Sequence, residues 1–254
     1  MKIGIMDSGI GGLTVLKECL ARLPEHEYLY YADSKNAPYG TKTREQVYEL
    51  TAQAVDFLVK KEAEIIVLAC NTATSAAAKG LRQKYNIPII GMEPALKPAL
   101  KLAKKKRVLV TATALTLSQK KFCDLINQLD IYDQVDFIAL TELVAFAERG
   151  EFDKRVVTNY LAEKLAHLDT DLYGSVVLGC THFPLFKECF EAIFPKNVAI
   201  VDGSIGTTNR IKEFVTSTSP HPSTTYFLSG KPLLEGELLE LINRIITNES
   251  HLFE

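Results

Sequence analysis

Two cysteines stand where thiol chemistry could be done. Cys70 ends the apolar run of IIVLACNTAT (65–74), and Cys180 ends that of VVLGCTHFP (176–184). In each, branched apolar residues lead through one small residue to the thiol, and polar residues take over at once. A buried cysteine is ordinarily a small hydrophobe. At the carboxyl end of a strand in a parallel sheet, where such folds bind ligands, it is placed to act as an acid, base or nucleophile. Each thiol also precedes a helical pattern. The amides and dipole of a helix start favour a thiolate, lowering a pKa that is otherwise near ~8.5. The same amides, with the hydroxyls of Ser8, Thr72, Thr74, Thr113 and Thr181, could hold the carboxylates of a small anion. Cys19 and Cys123 fall inside amphipathic patterns and Cys189 on a later one, so those three read as core.

The elements that must position the two thiols alternate short apolar runs with longer amphipathic ones, the signature of an α/β fold with mostly parallel strands. The runs predict strands at Lys2–Met6, Tyr28–Ala32, Ile65–Ala69, Pro88–Gly91, Val108–Thr111, Val135–Ala139, Val176–Gly179 and Val198–Val201. Thr43-Arg44-Glu45-Gln46 has the spacing of a capping box opening a helix. Lys104–Lys106 reads as a solvated helix end. An internal repeat runs through the pattern: Ile66–Thr72 parallels Val176–His182, and Lys2–Ser8 parallels Arg107–Thr113. The opening strand and the cysteine are 67 residues apart in one half (Ile3 to Cys70) and 72 in the other (Val108 to Cys180). The repeat implies two pseudo-symmetric parallel-sheet α/β domains, each contributing one cysteine at the same structural position.

Polar or reactive residues come after nearly every strand: Asp7-Ser8, Asp33-Ser34, Cys70-Asn71-Thr72, Glu93, Thr111 and Thr113, Cys180-Thr181-His182 and Asp202. The glycine-rich Asp7-Ser8-Gly9-Ile10-Gly11-Gly12 invites a nucleotide reading, but Thr14 occupies the last position of GxGxxG and no Walker pattern is present. Asp33 stands roughly where a ribose-binding acid would, which leaves a dinucleotide weakened and not excluded. A turn bringing backbone close to a small ligand fits the loop better. Pro38-Tyr39-Gly40 is a tight turn able to present a phenol and amides, or a plain surface turn. His182 is the histidine beside a motif cysteine; the other four are isolated and expected to be exposed. Cys180-Thr181-His182 lacks the ligand spacing of a zinc site.

Composition narrows the classes. The chain has 254 residues, 47% of them hydrophobic, and a net charge of −2. That is ample for a core without staples and gives no basic footprint for nucleic acid. Five widely spaced cysteines without a CxxC pair argue against a disulfide scaffold, a zinc ribbon and a thiol-redox protein. No apolar run is long enough to span a bilayer, and MKIGIMDSG has no leader pattern, so a cytoplasmic location is expected.

MDSGIGGLTVL, ADSKNAPYGTKTRE, VLACNTAT and VLGCTHFPL, in that order and over almost the whole chain, resemble the signature stretches of the glutamate racemases of the aspartate/glutamate racemase superfamily. The resemblance implies cofactor-independent interconversion of L- and D-glutamate, supplying D-glutamate for peptidoglycan and hence cell-wall biogenesis and cell shape. It implies two thiols facing each other across a domain cleft. Cys70 would serve the D-enantiomer and Cys180 the L-enantiomer, with Asp7, Glu148 and His182 as assisting groups. It places Ser8, Pro38, Tyr39, Gly40, Asn71, Thr72, Thr74, Thr113 and Thr181, with Asp7 and His182, at the substrate. It implies a homodimer whose first domain (1–97) is rejoined by 209–254 after a second domain (98–208). Three stretches depart from the family pattern: Ala139-Leu140-Thr141 where many members have Ala-Cys-Pro, Ala112-Thr113 for Gly-Thr, and Pro94-Ala95 for Pro-Gly. Glu148 is placed only by counting back from Gly150. The N-terminal extension that supports activation by a peptidoglycan precursor in some members is absent, so no such regulation is expected. The alternatives are an aspartate or other amino-acid racemase, and a non-catalytic glutamate-binding protein.

Overall fold

All eight expected strands form in the computed structural model, which describes residues 1–92, 95–118 and 131–247; Glu93, Pro94 and Cys123 lie outside the described residues. They are β1 (Lys2–Asp7), β2 (Glu27–Ala32), β3 (Ile65–Leu68), β4 (Ile89–Gly91), β5 (Arg107–Ala112), β6 (Val135–Ala139), β7 (Tyr173–Leu178) and β8 (Ala199–Asp202). The first four lie in the order β2-β1-β3-β4 and the second four as β6-β5-β7-β8, every pair parallel. The two orders are the same once β1 is matched to β5 and β3 to β7. The repeat in the sequence is therefore a repeat in topology, and Cys70 and Cys180 come after equivalent strands.

Two strands escaped the sequence pattern. β9 (Ser223–Leu228) runs parallel to β2, and β10 (Lys231–Pro232) returns antiparallel to β9 through Ser229-Gly230, both residues at positive φ. β9 opens on Ser-Thr-Thr and buries only Phe227 fully, so it presents no apolar run to detect.

Burial on both faces explains why the strand runs are continuously apolar. In β1 and β3, Ile3, Ile5, Ile65 and Val67 face one layer, and Met6, Ile66 and Leu68 face the other. The first layer is covered by α1 (Leu13–Arg22) through Leu13, Leu16 and Cys19. The second is covered by α2 (Arg44–Lys60) and by α3 (Asn71–Lys84) through Ala73, Ala77 and Leu81. In the second sheet, Val108, Val110 and Val177 pack with α4 (Leu96–Ala103), whereas Leu109, Val176 and Leu178 join the same apolar cluster as Ile3 and Ile5. One core thus runs through both sheets and ties their strand ends together.

The capping box is present: the Gln46 amide donates to Thr43 Oγ1 at 3.2 Å and the Thr43 amide to Gln46 Oε1 at 3.0 Å. Lys104–Lys106 lie just past α4, Lys104 and Lys105 at positive φ and all three exposed, as expected. Histidine exposure needs a correction. His167 and His221 are exposed, but His26 is buried, packed where the amino terminus, Glu25 and Glu64 come together. His251 lies outside the described residues.

Candidate active site

The loop after β1 turns on Asp7, whose carboxylate is fully buried. Its Oδ2 accepts from the Gly9 amide at 2.9 Å, and its Oδ1 accepts from the Thr181 hydroxyl at 3.0 Å. The second bond reaches from the end of the first sheet to the residue after Cys180 in the second. Burial raises the Asp7 pKa above the usual carboxylate range; the His182 charge, the Gly9 amide and the Thr181 hydroxyl oppose that rise.

Cys70 caps α3, its Sγ accepting from the Ala73 amide at 3.4 Å. The expected helix-start position holds, but the expected lowered pKa does not. Burial, and after it the charge of Asp7, pushes the thiol up to about 12, against smaller opposing bonds from Ser8 and Ala73. The Cys180 charge is near enough to add to the rise. Desolvation outweighs the amides because Cys70 is only 5% exposed. Cys180 is buried too, but its strand leads into a short 3₁₀ turn (Phe183–Phe186) before the helix Lys187–Ile193 begins.

Cys180 instead has His182 beside it, Nδ1 lying 3.7 Å from Sγ. The other ring nitrogen, Nε2, is 2.6 Å from Glu148 Oε1. Glu148 ends α6 (Glu142–Glu148), and the same oxygen accepts from the Ile10 amide at 2.7 Å. The residue placed by counting alone thus lies against His182 and the loop after β1. Burial opposes the His182 cation, yet Cys180 and Glu148 together hold its pKa well above the ordinary histidine range.

The glycines of the loop after β1 explain how this pair fits. A Cβ on Gly9 would strike the Glu148 carboxylate, and one on Gly11 would strike the His182 ring. The close approach expected of this loop is therefore to protein side chains from the second half. Asp33 is likewise engaged within the protein, accepting from Tyr39 Oη at 2.7 Å, from Asn36 and from Ser229. No hydroxyl pair of a ribose is required to satisfy it.

Thr72 Oγ1 lies 3.2 Å from Thr113 Oγ1 and 3.1 Å from Thr116 Oγ1, linking α3 to the start of α5 (Ala114–Ser118). Gly40 approaches Thr113 so closely that a Cβ would come within 2.9 Å of it. Pro38, which comes after a cis peptide bond, leads into this turn. Ser8 is buried, and Asn71 is buried with its Oδ1 lacking a partner among the described residues. Thr74 donates to the Leu68 carbonyl and accepts from the Met92 amide, tying the ends of β3 and β4. Sequence reasoning missed Thr14, which donates to the Gly11 and Thr181 carbonyls, and it missed Thr116 and Tyr30. None of them sits in a reactive pattern. Among the described residues no cluster of three or more His, Cys, Asp or Glu could hold a metal ion, and no helix is long and apolar enough to cross a membrane.

Two thiols, one held as a neutral acid and one beside an imidazolium, form a site suited to moving a proton at carbon. Known proteins bear on the same point. The profile of the Asp/Glu/Hydantoin racemase family matches residues 3–206. A glutamate racemase of Halothermothrix orenii is 44% identical over 91% of this chain and 94% of its own. Glutamate racemase 2 of Bacillus subtilis is 42% identical over 99% of both. The crystal structure of the Escherichia coli glutamate racemase in complex with L-glutamate and an activator superposes with a TM-score of 0.84 at 26% identity, covering 96% of this chain and 94% of that one. The chain belongs to the Asp/Glu/Hydantoin racemase family, and within it groups with the glutamate racemases.

Proposed function

We propose that this amino-acid racemase interconverts L- and D-glutamate without a cofactor, using Cys70 and Cys180 as its two acid–base groups. The observation that carries the reading is the placement of two thiols after equivalent strands, β3 and β7, with Asp7 bonded to the residue after one and raising the pKa of the other. Starting from L-glutamate, the Cys180 thiolate takes the α-proton, the electron pair passes into the α-carboxylate, and an S–H bond forms. Cys70, held as a thiol, returns a proton to the opposite face and leaves as thiolate. From D-glutamate the roles reverse. Asp7 and His182 border this proton traffic, and Glu148 holds the imidazolium. Asn71 Oδ1 offers an acceptor to a substrate ammonium, while Ser8, Thr72, Thr113 and Thr181, with the turn of Pro38, Tyr39 and Gly40, receive its carboxylates; Thr74 braces the strand ends behind them.

The same reading puts 1–97 with 209–254 in one domain and 98–208 in the other, the substrate lying between. It makes the enzyme a cytoplasmic homodimer supplying D-glutamate for peptidoglycan. The test is exchange of the glutamate α-hydrogen in D₂O by purified protein without additions. Exchange with both enantiomers is expected; no exchange with either would sink the reading. Faster turnover of aspartate than of glutamate would move the assignment to an aspartate racemase. Binding of glutamate without exchange would make the chain a binding protein.

A further inference from the structure

Tyr30 lies on β2, and its ring is buried against Tyr226, its register partner on β9, with centroids 6.2 Å apart. Its hydroxyl donates to the Gly9 carbonyl at 2.7 Å. That carbonyl and the Ile10 N–H belong to one planar peptide unit, so fixing one end fixes the other. The Ile10 N–H is the group that donates to Glu148 Oε1, the oxygen that also meets His182 Nε2. Among the described residues the Tyr30 hydroxyl is the one donor on the Gly9 carbonyl, and glycine resists peptide rotation less than any other residue.

We propose that Tyr30 is a positioning residue for the Glu148–His182 pair, acting through the Gly9–Ile10 peptide. The hydroxyl points the Ile10 N–H at Glu148; Glu148, held from the loop side, keeps its oxygen on the imidazole next to Cys180. Tyr30 touches no reacting atom. This deepens the racemase reading and rests on it. The strand β9, which supplies Tyr226, closes the far side of the Tyr30 ring, so the C-terminal segment takes part in holding the site.

The test is Tyr30→Phe, which keeps the ring volume and removes the donor. The expected result is a fall in kcat of about tenfold, equivalent to about 1.4 kcal/mol at the transition state. KM should stay within about twofold, and the His182 ring titration followed by NMR should move down toward the ordinary histidine value. Placing 4-aminophenylalanine at position 30 restores a para donor and should recover much of the rate. In a Glu148→Ala background, Tyr30→Phe should add no further loss, because its route is gone. An unchanged kcat, an unmoved His182 titration or additive losses in the double variant would each overturn the proposal. Against a fold too weak to assay, Tyr30→Phe is also made with Gly206→Ala, whose new methyl meets nothing within 4 Å and which replaces a helical glycine. Wild-type protein run alongside separates the two failures: no α-hydrogen exchange there defeats the racemase reading, whereas exchange there with an unaffected variant defeats this one alone.

Discussion

Gly11→Ala isolates the fit between the first loop and the imidazole. The added methyl carbon would lie 2.7 Å from both Cε1 and Cγ of His182, and closer to Nδ1. Carbon contacts settle at about 3.5–4 Å, so the ring must retreat by roughly 1 Å. The loop is poorly able to give way instead, because the Thr14 amide and hydroxyl both hold the Gly11 carbonyl, at 3.1 and 2.9 Å. Gly11 is not among the glycines at positive φ, so alanine brings no backbone strain of its own. The methyl lies over the ring face beside Nδ1, so a retreat of that size shifts Nδ1 relative to Cys180 Sγ and tilts the 2.6 Å bond between Nε2 and Glu148 out of line. A hydrogen bond to a charged group contributes about 1.5–3 kcal/mol, which at ~1.4 kcal/mol per decade is a loss of about 10- to 100-fold in kcat. The assay is α-hydrogen exchange and racemisation of glutamate, with circular dichroism to confirm the fold and Gly206→Ala as a glycine control. A folded Gly11→Ala enzyme with kcat within about twofold of wild type would refute the claim that the loop glycines exist to admit the pair.

Other outcomes rest on the same site. Cys70→Ala and Cys180→Ala should each abolish racemisation, and full activity in either would contradict the two-thiol scheme. With its pKa near 12, Cys70 in the unliganded protein should be alkylated by iodoacetamide at pH ~8 roughly a thousandfold more slowly than an ordinary thiol, as read by peptide mass spectrometry. Since the unfolded thiol ionises first, Cys70 also makes stability fall as pH rises from about 9 to about 12. His182 titrates above its unfolded value, so its stabilising effect is complete below pH ~6.5 and fades as pH rises through the folded value. Thermal melts of His182→Asn should lack that decline; a decline identical to wild type would assign it elsewhere. Thr43→Ala removes the side-chain oxygen that receives the Gln46 amide in the capping box. It should cost about 1 kcal/mol, or a Tm lower by about 2–4 °C, with the racemisation rate unchanged.

The central strands were legible because β1, β3, β5 and β7 are buried on both faces, which makes them near-continuous apolar runs. The same reasoning failed for β9, which is flanked by an edge hairpin and only half covered. Cys70 and Cys180 were legible because a thiol after such a run breaks an apolar pattern visibly. The direction of the Cys70 pKa was not, since the helix start is local in sequence while the burial and the Asp7 charge that outweigh it come from other segments. Glu148 could be placed by position, but its partners could not. Ile10 is 138 residues away, and a backbone amide carries no side-chain signature. Tyr30 sits unmarked inside a predicted strand and Thr14 stands out only against GxGxxG, because their hydroxyls act on backbone carbonyls, which carry no side-chain signature. His26 was misread because a lone histidine gives no sign of what the amino terminus will cover.

The matched strand orders β2-β1-β3-β4 and β6-β5-β7-β8 give the fold an approximate twofold relation, well suited to a substrate presented in two mirror-image forms. The supports around the thiols do not share it. Among the described residues only Cys180 has a histidine and a carboxylate behind it, and only the first sheet carries the β9–β10 hairpin. Mirror images have equal free energy in water, so their equilibrium constant is one and kcat/KM must be equal in the two directions. The lopsidedness of the protein is therefore confined to how each direction divides that common ratio between affinity and turnover. Substitutions on the His182 side can redistribute the two quantities between the enantiomers, and none can turn the enzyme into a one-way catalyst.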